Sequence, residues 1–427
     1  MGVFKTCSCE LETGNWELET RKSSGKGVDM RAILITVSLF ILVLSGCRSS
    51  VIHNQTNMEP RPAVMSTIQQ ETARVQQPGP TLAPSIEEYK KTIAEELLES
   101  MTLEEKVGQL FMCAFRGNGM SEFNSVMMKT LDNYKPSGIV LFSENVVSKT
   151  QVSELIADLK NYSKVPMFIA VDEEGGRVSR LGRLYDEKIP APGSVVSAQD
   201  ALWRGLELGR RLNELGFNMN FAPVADIHTN PENTVIGDRA FSDNPETAAE
   251  YVSASVTGMI SEGIIPVVKH FPGHGDTKED SHYGIAVYEG DFKRLIGVEA
   301  IPFVAGIDAG APVVMIGHIN TPLITDDRLP ATFSKYLITE ILRGQLGFSG
   351  VIITDAMDMG AITKYYRPGE AAVAAIEAGV DIILMPADLD EAYNAVLEAV
   401  KSGRLTEERI NESVMRILEL KCEFLSI

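Results

Sequence analysis

Cysteine is scarce in this chain, and what there is cannot staple a fold. The 427 residues contain five. Cys7 and Cys9 stand near the N-terminus, Cys47 closes an apolar run, and Cys113 and Cys422 lie far apart in apolar settings. That spacing gives neither a disulfide framework nor a Cys-based zinc motif. Cys113 and Cys422 read as buried thiols. A basic surplus is also missing. The formal net charge is −19, which leaves nothing to neutralise phosphates and excludes a nucleic-acid partner. The acidity reads as solubility, and a monomer is expected. No phosphate loop is present either. Asp172-Glu173-Glu174-Gly175-Gly176-Arg177-Val178-Ser179-Arg180 has a Gly-Gly turn between charges, but neither the GxGxxG nor the GxxxxGK[ST] spacing. Its carboxylate and arginines read as polar contacts to a neutral ligand or as ordinary loop ion pairs. Residues 32–44 form an apolar run that is short for a stable membrane span.

That run has the anatomy of a signal peptide. Met30-Arg31 precedes it and small residues end it. Leu44-Ser45-Gly46-Cys47 resembles a bacterial lipobox, which implies lipidation of Cys47 and anchorage to a membrane outside the cytoplasm. An uncleaved membrane helix is the alternative. Arg48 rather than Asp follows the cysteine, so nothing marks retention at an inner membrane. Residues 1–29 are polar and sit awkwardly ahead of a signal, so translation is expected to begin at Met30. The expected division is a non-native extension over 1–29, a signal peptide over 30–46, a flexible tether over 47–84 and a folded domain over 85–427. The tether is rich in Gln, Asn, Thr, Ser and Pro. Ser85-Ile86-Glu87-Glu88 could open the first helix of the domain.

A hydrophobic fraction of 44% supports an ample core. Short, continuous, β-branched runs fall at 109–113, 138–142, 167–171, 219–222, 266–269, 313–316, 351–354 and 382–385. They read as strands covered on both faces. Amphipathic stretches at 150–159, 201–215, 245–261, 335–346, 369–378, 388–402 and 406–423 read as helices. This alternation predicts an α/β fold, a (β/α)8 TIM-type barrel with long loops. A doubly wound open sheet is the alternative. In a barrel, functional residues gather where strands end, and polar residues do follow the runs: Asp172, Asp226, Lys269-His270, His318 and Asp355.

The densest polar segment is Lys269-His270-Phe271-Pro272-Gly273-His274-Gly275-Asp276-Thr277-Lys278-Glu279-Asp280-Ser281-His282. Burying such unpaired charges would cost several kcal/mol, so the segment belongs at the surface or around a ligand. Asp280 and His282 are two apart. A turn there can set the carboxylate on one ring nitrogen and leave the other to move a proton. Asp355, at a strand end amid apolar neighbours, can be a nucleophile or the cap of the next helix; the Asp280–His282 pair favours the nucleophile. Lys269 and His270 reach one ligand only if the backbone turns there, which Pro272-Gly273 permits. Otherwise Lys269 pairs with a carboxylate and His270 is a satisfied core histidine. A metal held by His270, His274, Asp280 and His282 is a rival reading. No metal and no cofactor are expected, because no second group of ligand spacing stands elsewhere.

Taken together, these motifs resemble the β-N-acetylhexosaminidase branch of glycoside hydrolase family 3. The resemblance covers residues 90–420. It rests on the 171–178 segment, Phe221-Ala222-Pro223-Val224-Ala225-Asp226, Ile236-Gly237-Asp238-Arg239-Ala240-Phe241, the 269–282 segment and Thr354-Asp355-Ala356-Met357. It implies a retaining exo-β-N-acetylglucosaminidase acting on peptidoglycan fragments or related oligosaccharides. Asp355 would be the nucleophile and His282, held by Asp280, the acid/base. Asp172, Arg180, Arg239, Lys269 and His270 would hold the sugar ring. Glu173 stands where the family often has Gln, adding charge beside Asp172 with a small expected effect. Relatives often carry a second α/β domain; this chain is expected to match the compact form. A phosphorylase of the same family and a non-catalytic wall-sugar-binding lipoprotein are the competing functions.

Overall fold

Eight short apolar runs become eight parallel strands. They are β1 (Phe111–Ala114), β2 (Gly138–Leu141), β3 (Phe168–Val171), β4 (Met219–Asn220), β5 (Ile265–Phe271), β6 (Val313–Ile316), β7 (Val351–Thr354) and β8 (Ile383–Leu384). Each coincides with a run expected from sequence. The computed structural model describes residues 85–425, apart from 118, 279, 282, 283 and 326–328. The extension, the signal peptide, Cys47 and the tether over 1–84 lie outside the described residues, as does His282.

Neighbouring strands pair in parallel in the order β8-β1-β2-β3-β4-β5-β6-β7. The two ends then meet. Ile353 bridges Ile382 in the parallel sense. The N–H of Asp381 donates to the Ile352 carbonyl at 2.8 Å, and that of Thr354 to the Ile382 carbonyl at 3.0 Å. This closure makes the sheet a barrel and removes the doubly wound alternative. Asp381 bolts the seam from below. Its buried carboxylate accepts from Arg343 at 2.5 Å, Arg416 at 3.0 Å, Ser413 at 2.6 Å and the Ile352 N–H at 2.9 Å.

The strands carry apolar residues at every position because both faces are covered. In β3, Phe168 and Ala170 pack in one hydrophobic cluster while Ile169 and Val171 pack in another. Successive side chains of a strand point to opposite faces, so one face fills the barrel and the other meets the helices. The helices follow the expected stretches closely: Lys149–Tyr162, Ala198–Leu215, Pro245–Ser261, Pro368–Ala378, Leu389–Lys401 and Glu407–Phe424. The 335–346 stretch is wound as a π-helix over Tyr336–Gln345. Ser85 opens the first helix, Ile86–Ser100, with a reciprocal capping box to Glu88. Cys113 and Cys422 are buried free thiols, as expected.

At the floor of the barrel Lys421 is fully buried. Its Nζ donates to Gln109 Oε1 at 2.7 Å and lies 5.2 Å from the centre of the Phe168 ring. Among the described residues no carboxylate pairs with it. Burial pushes its pKa from 10.5 down to about 7. The unfolded chain therefore holds a proton there that the native state lacks between about pH 7 and 10.5, so stability rises with pH across that window. Replacing Lys421 with Met should help most at or below pH 7, and its advantage over wild type should narrow toward pH 10. Urea denaturation of both proteins across that range checks this; a difference that does not change with pH would contradict it.

Candidate active site

The polar residues that end β3, β5 and β7 converge on one cavity of about 570 Å³ at the C-terminal face of the barrel. Asp172, Arg180, Arg239, Lys269, His270 and Asp355 all line it, together with Glu174, His274 and Ser281. Six residues singled out from sequence thus meet at one place. Asp280 is half-buried, and its carbonyl accepts the Gly284 N–H at 3.2 Å. Its partnership with His282 falls outside the described residues.

The floor of the cavity is a buried ion network. Lys269 is 2% exposed. Its Nζ lies 2.7 Å from Asp172 Oδ1 and 2.6 Å from Glu174 Oε1. Glu174 also takes a bidentate pair of hydrogen bonds from Arg239, both 2.8 Å. Arg180 stands 3.9 Å from the other Asp172 oxygen. Burial works to lower the Lys269 pKa, but Asp172 and Glu174 outweigh it and raise it above the ordinary value. Burial likewise opposes the charge on Glu174, and Lys269 and Arg239 overcome it, holding the carboxyl well below its usual range. Sequence reasoning gave Glu174 no role. Its signal was its place two residues after Asp172, where side chains of extended backbone return to the same side.

Glu173 behaves differently from expectation. Its carboxylate does not line the cavity beside Asp172. It accepts Ser179 Oγ at 2.5 Å and the backbone N–H groups of Arg180 and Leu181 at 2.7 and 2.8 Å. Glu173 thereby fixes the loop that carries Arg180. Burial pushes its pKa up, against these hydrogen bonds.

Lys269 and His270 both face the cavity although they are adjacent. The backbone turns there as that requires: the pairing of β5 with β6 slips between Val268 and Phe271. Lys269 does pair with carboxylates and His270 does have a partner, yet neither is withdrawn from the site. Asp226, fully buried, holds His270 twice: Oδ2 to the ring Nδ1 at 2.7 Å, and Oδ1 to the backbone N–H at 3.3 Å. The same Oδ1 accepts the His274 N–H at 2.6 Å. Burial raises the Asp226 pKa, but His270 and the other donors bring it below the ordinary value. The sequence marked Asp226 as a strand-end residue without showing what it holds.

Asp355 is not a helix cap. The next helix, Gly360–Thr363, has Met359 at its cap position and no side-chain cap. Asp355 Oδ1 instead accepts the Ala356 N–H at 2.7 Å. Burial raises its pKa, while His270, His318 and the Ala356 N–H more than compensate, so the carboxyl stays ionised below its usual range. His318 lies behind the site and does not line it. It is buried, with Nδ1 2.7 Å from Thr332 Oγ1 and Nε2 3.0 Å from the Ala356 carbonyl. Burial lowers its pKa below the ordinary value, and its Nε2 carries the hydrogen, because the Ala356 carbonyl can only accept.

The His-cluster metal reading fits this geometry poorly. Both ring nitrogens of His274 are engaged, Nδ1 with Thr277 at 2.7 Å and Nε2 with Ser281 at 3.1 Å. The remaining nitrogen of His270, Nε2, stands 3.5 Å from the Arg239 guanidinium, a cation that would repel a metal ion. Among the described residues no group of three or more His, Cys, Asp or Glu side chains is arranged to hold a metal ion.

A closed barrel with a charged cavity at the C-terminal ends of its strands defines a (β/α)8 enzyme-type scaffold. Residues 102–420 match the glycosyl hydrolase family 3 N-terminal domain, and the chain belongs to that family. It is similar to Beta-hexosaminidase A of Pseudoalteromonas piscicida, with 34% identity over 330 residues, 69% of this chain and 54% of that protein. It is 37% identical over 270 residues to Beta-hexosaminidase of Xylella fastidiosa (strain M23), covering 61% of this chain and 79% of the relative. Among solved structures, a glycoside hydrolase family 3 beta-N-acetylglucosaminidase from Paenibacillus sp. str. FPU-7 superposes with a TM-score of 0.73 at 40% identity. That match covers 75% of this chain and 62% of the other. The chain thus spans about half the length of the Pseudoalteromonas relative and less than two thirds of the Paenibacillus structure.

Glu174→Ala would leave Lys269 and Arg239 buried with one carboxylate fewer between them. The expected loss is about 3–5 kcal/mol of stability, typical of a broken buried pair. Urea denaturation at pH 7 measures it; a loss below about 1 kcal/mol would show that the cations are otherwise compensated.

Proposed function

We propose that this protein is a retaining exo-β-N-acetylglucosaminidase. The observation that carries the reading is Asp355. It is an ionised carboxylate at the end of β7, and it shares one cavity with the Asp172–Lys269–Glu174–Arg239 network. The hexosaminidase relatives and the N-acetylglucosaminidase structure support the sugar. A cavity of about 570 Å³ suits a small ligand. Asp172, Arg180, Arg239, Lys269 and His270 supply the polar contacts to the ring.

In the proposed cycle, an Asp355 oxygen attacks the anomeric carbon as the bond to the leaving oxygen breaks. His282 gives that oxygen its proton, and Asp280 steadies the ring. A covalent glycosyl-enzyme results. His282 then takes a proton from water, the water oxygen attacks the same carbon, and Asp355 leaves. Two displacements retain the anomeric configuration. A histidine with an ordinary pKa near 6.5 can serve both half-reactions at neutral pH. Fragments of peptidoglycan bearing terminal β-linked N-acetylglucosamine are the proposed substrates. Lipid anchoring through Cys47 would face the enzyme toward the wall.

A phosphorylase would use phosphate in place of water in the second step, and a binding lipoprotein would need neither Asp355 nor a proton donor. Turnover of an aryl β-N-acetylglucosaminide with and without phosphate, and after EDTA, separates these. Hydrolysis independent of phosphate and resistant to EDTA is expected. Release of sugar phosphate, or loss of activity restored by zinc, would overturn the reading. Asp355→Asn should lower kcat by at least about 10³-fold while sugar binding survives, because the covalent step is lost. Near-normal kcat would remove Asp355 from its role.

Cys47→Ala should move the protein from the membrane fraction to the soluble phase with specific activity intact. Unchanged partition in detergent-phase separation would point to an uncleaved helix.

A further inference from the structure

Ser281 stands between Asp280 and His282 in sequence and is 2% exposed. It is held from two sides. Its Oγ lies 3.1 Å from His274 Nε2. Its carbonyl accepts the N–H of Ala361 at 3.1 Å. Ala361 belongs to the short helix after Asp355, so this bond ties the Ser281 backbone to the segment that follows the proposed nucleophile.

The His274 side of the hold is anchored in turn. The other ring nitrogen, Nδ1, is 2.7 Å from Thr277 Oγ1, which also lies 2.9 Å from the His274 carbonyl. One proton arrangement satisfies every group. Nδ1–H donates to Thr277, the Thr277 hydroxyl donates to the His274 carbonyl, and the Ser281 hydroxyl donates to Nε2. Burial lowers the His274 pKa, which favours the neutral ring this arrangement needs. The His274 main chain donates to Asp226 Oδ1 at 2.6 Å, and its carbonyl accepts Asn233 Nδ2 at 2.7 Å. Gly275 lets the loop press onto the segment that follows β4: a Cβ there would meet the Ile227 carbonyl oxygen at 1.9 Å. Asp226 is the residue that also orients His270. A single buried carboxylate therefore sets both a sugar-facing ring and the base of the Ser281 hold.

We propose that His274 and Ser281 form a clamp that positions the proton-transfer residues on either side of Ser281, without themselves exchanging a proton with substrate. The proposal rests on the reading of Asp280 and His282 as the acid/base pair. His274 and Ser281 are positioning residues on this account. A displacement of about 1 Å in a reacting group lowers rates by roughly 10²-fold, so a loosened clamp should be felt in catalysis before it is felt in sugar binding.

The full-length protein carrying Ser281→Ala loses the Oγ tether and keeps the Ala361 hydrogen bond. Turnover is compared on a GlcNAc-β-1,4-linked disaccharide, whose leaving oxygen needs a proton, and on a dinitrophenyl β-N-acetylglucosaminide, whose leaving group does not. The kcat for the disaccharide should fall by about 10- to 100-fold. The pre-steady-state burst with the activated glycoside should change by less than about 3-fold, and KM should change little, because the Lys269–Glu174–Arg239 cluster is untouched. Ser281→Thr, which keeps a hydroxyl, should recover most of the loss. Equal losses on both substrates, or no loss on either, would overturn the clamp. His282→Ala runs alongside. A leaving-group-dependent loss there but not in Ser281→Ala overturns the clamp alone. A uniform loss in His282→Ala overturns the acid/base reading and the clamp with it.

Discussion

Lys269 is the constraint around which the site is organised. An ammonium group that is 2% exposed keeps its proton only where carboxylates meet it directly. Asp172 and Glu174 do so, one on each side. Because the two carboxylates follow β3 and the lysine sits in β5, the pairing fixes the rim of one strand against another across β4. Arg239 completes the arrangement through Glu174, and Arg180 approaches the free oxygen of Asp172. The result is a set of charged donors and acceptors fixed before any ligand arrives. Such preorganisation suits a neutral, hydroxyl-rich ring, which needs many oriented hydrogen bonds rather than one opposing charge.

Asp355 obeys the same balance of burial against charge. Desolvation works to protonate it, and His270, His318 and a backbone N–H work to keep it ionised. A nucleophile needs the second outcome. The two histidines reach it in different ways. His270 is fixed by Asp226, whereas His318 acts from behind, held by its hydrogen bond to the Ala356 carbonyl. Asp226 and Glu174 never enter the proposed reaction, yet they determine where the groups that do enter it are held.

Much of the fold was legible because parallel barrel strands are buried on both faces, which writes them as unbroken apolar runs. All eight were found, although β4 and β8 pair over two residues where four were read. Helix Ser125–Tyr134 was not found: it buries only Met127 and Leu131, too little to make a stripe. The Phe292–Asp308 segment was missed for another reason. Its π-turn at Leu295–Glu299 breaks the 3.6-residue rhythm and buries Glu299 beside Leu295. Six of the eight candidate site residues, those ending strands or lying in charged loops, meet in the cavity. The roles of Glu174 and Asp226 were illegible because they depend on partners 95 and 44 positions away, Lys269 and His270. Barrel closure was equally hidden, since an unbroken apolar run says that both faces of a strand are covered and nothing of which strand lies beside the last one.

The central claim is a covalent intermediate on Asp355. A slowly turned-over 5-fluoro-N-acetylglucosaminyl fluoride, followed by proteolysis and mass spectrometry of the peptides, tests it most directly. The account predicts a stoichiometric glycosyl adduct on the peptide containing Asp355, absent from Asp355→Asn, with release of product in the β configuration. An adduct on another side chain, or product released with inverted configuration and no adduct, would contradict it.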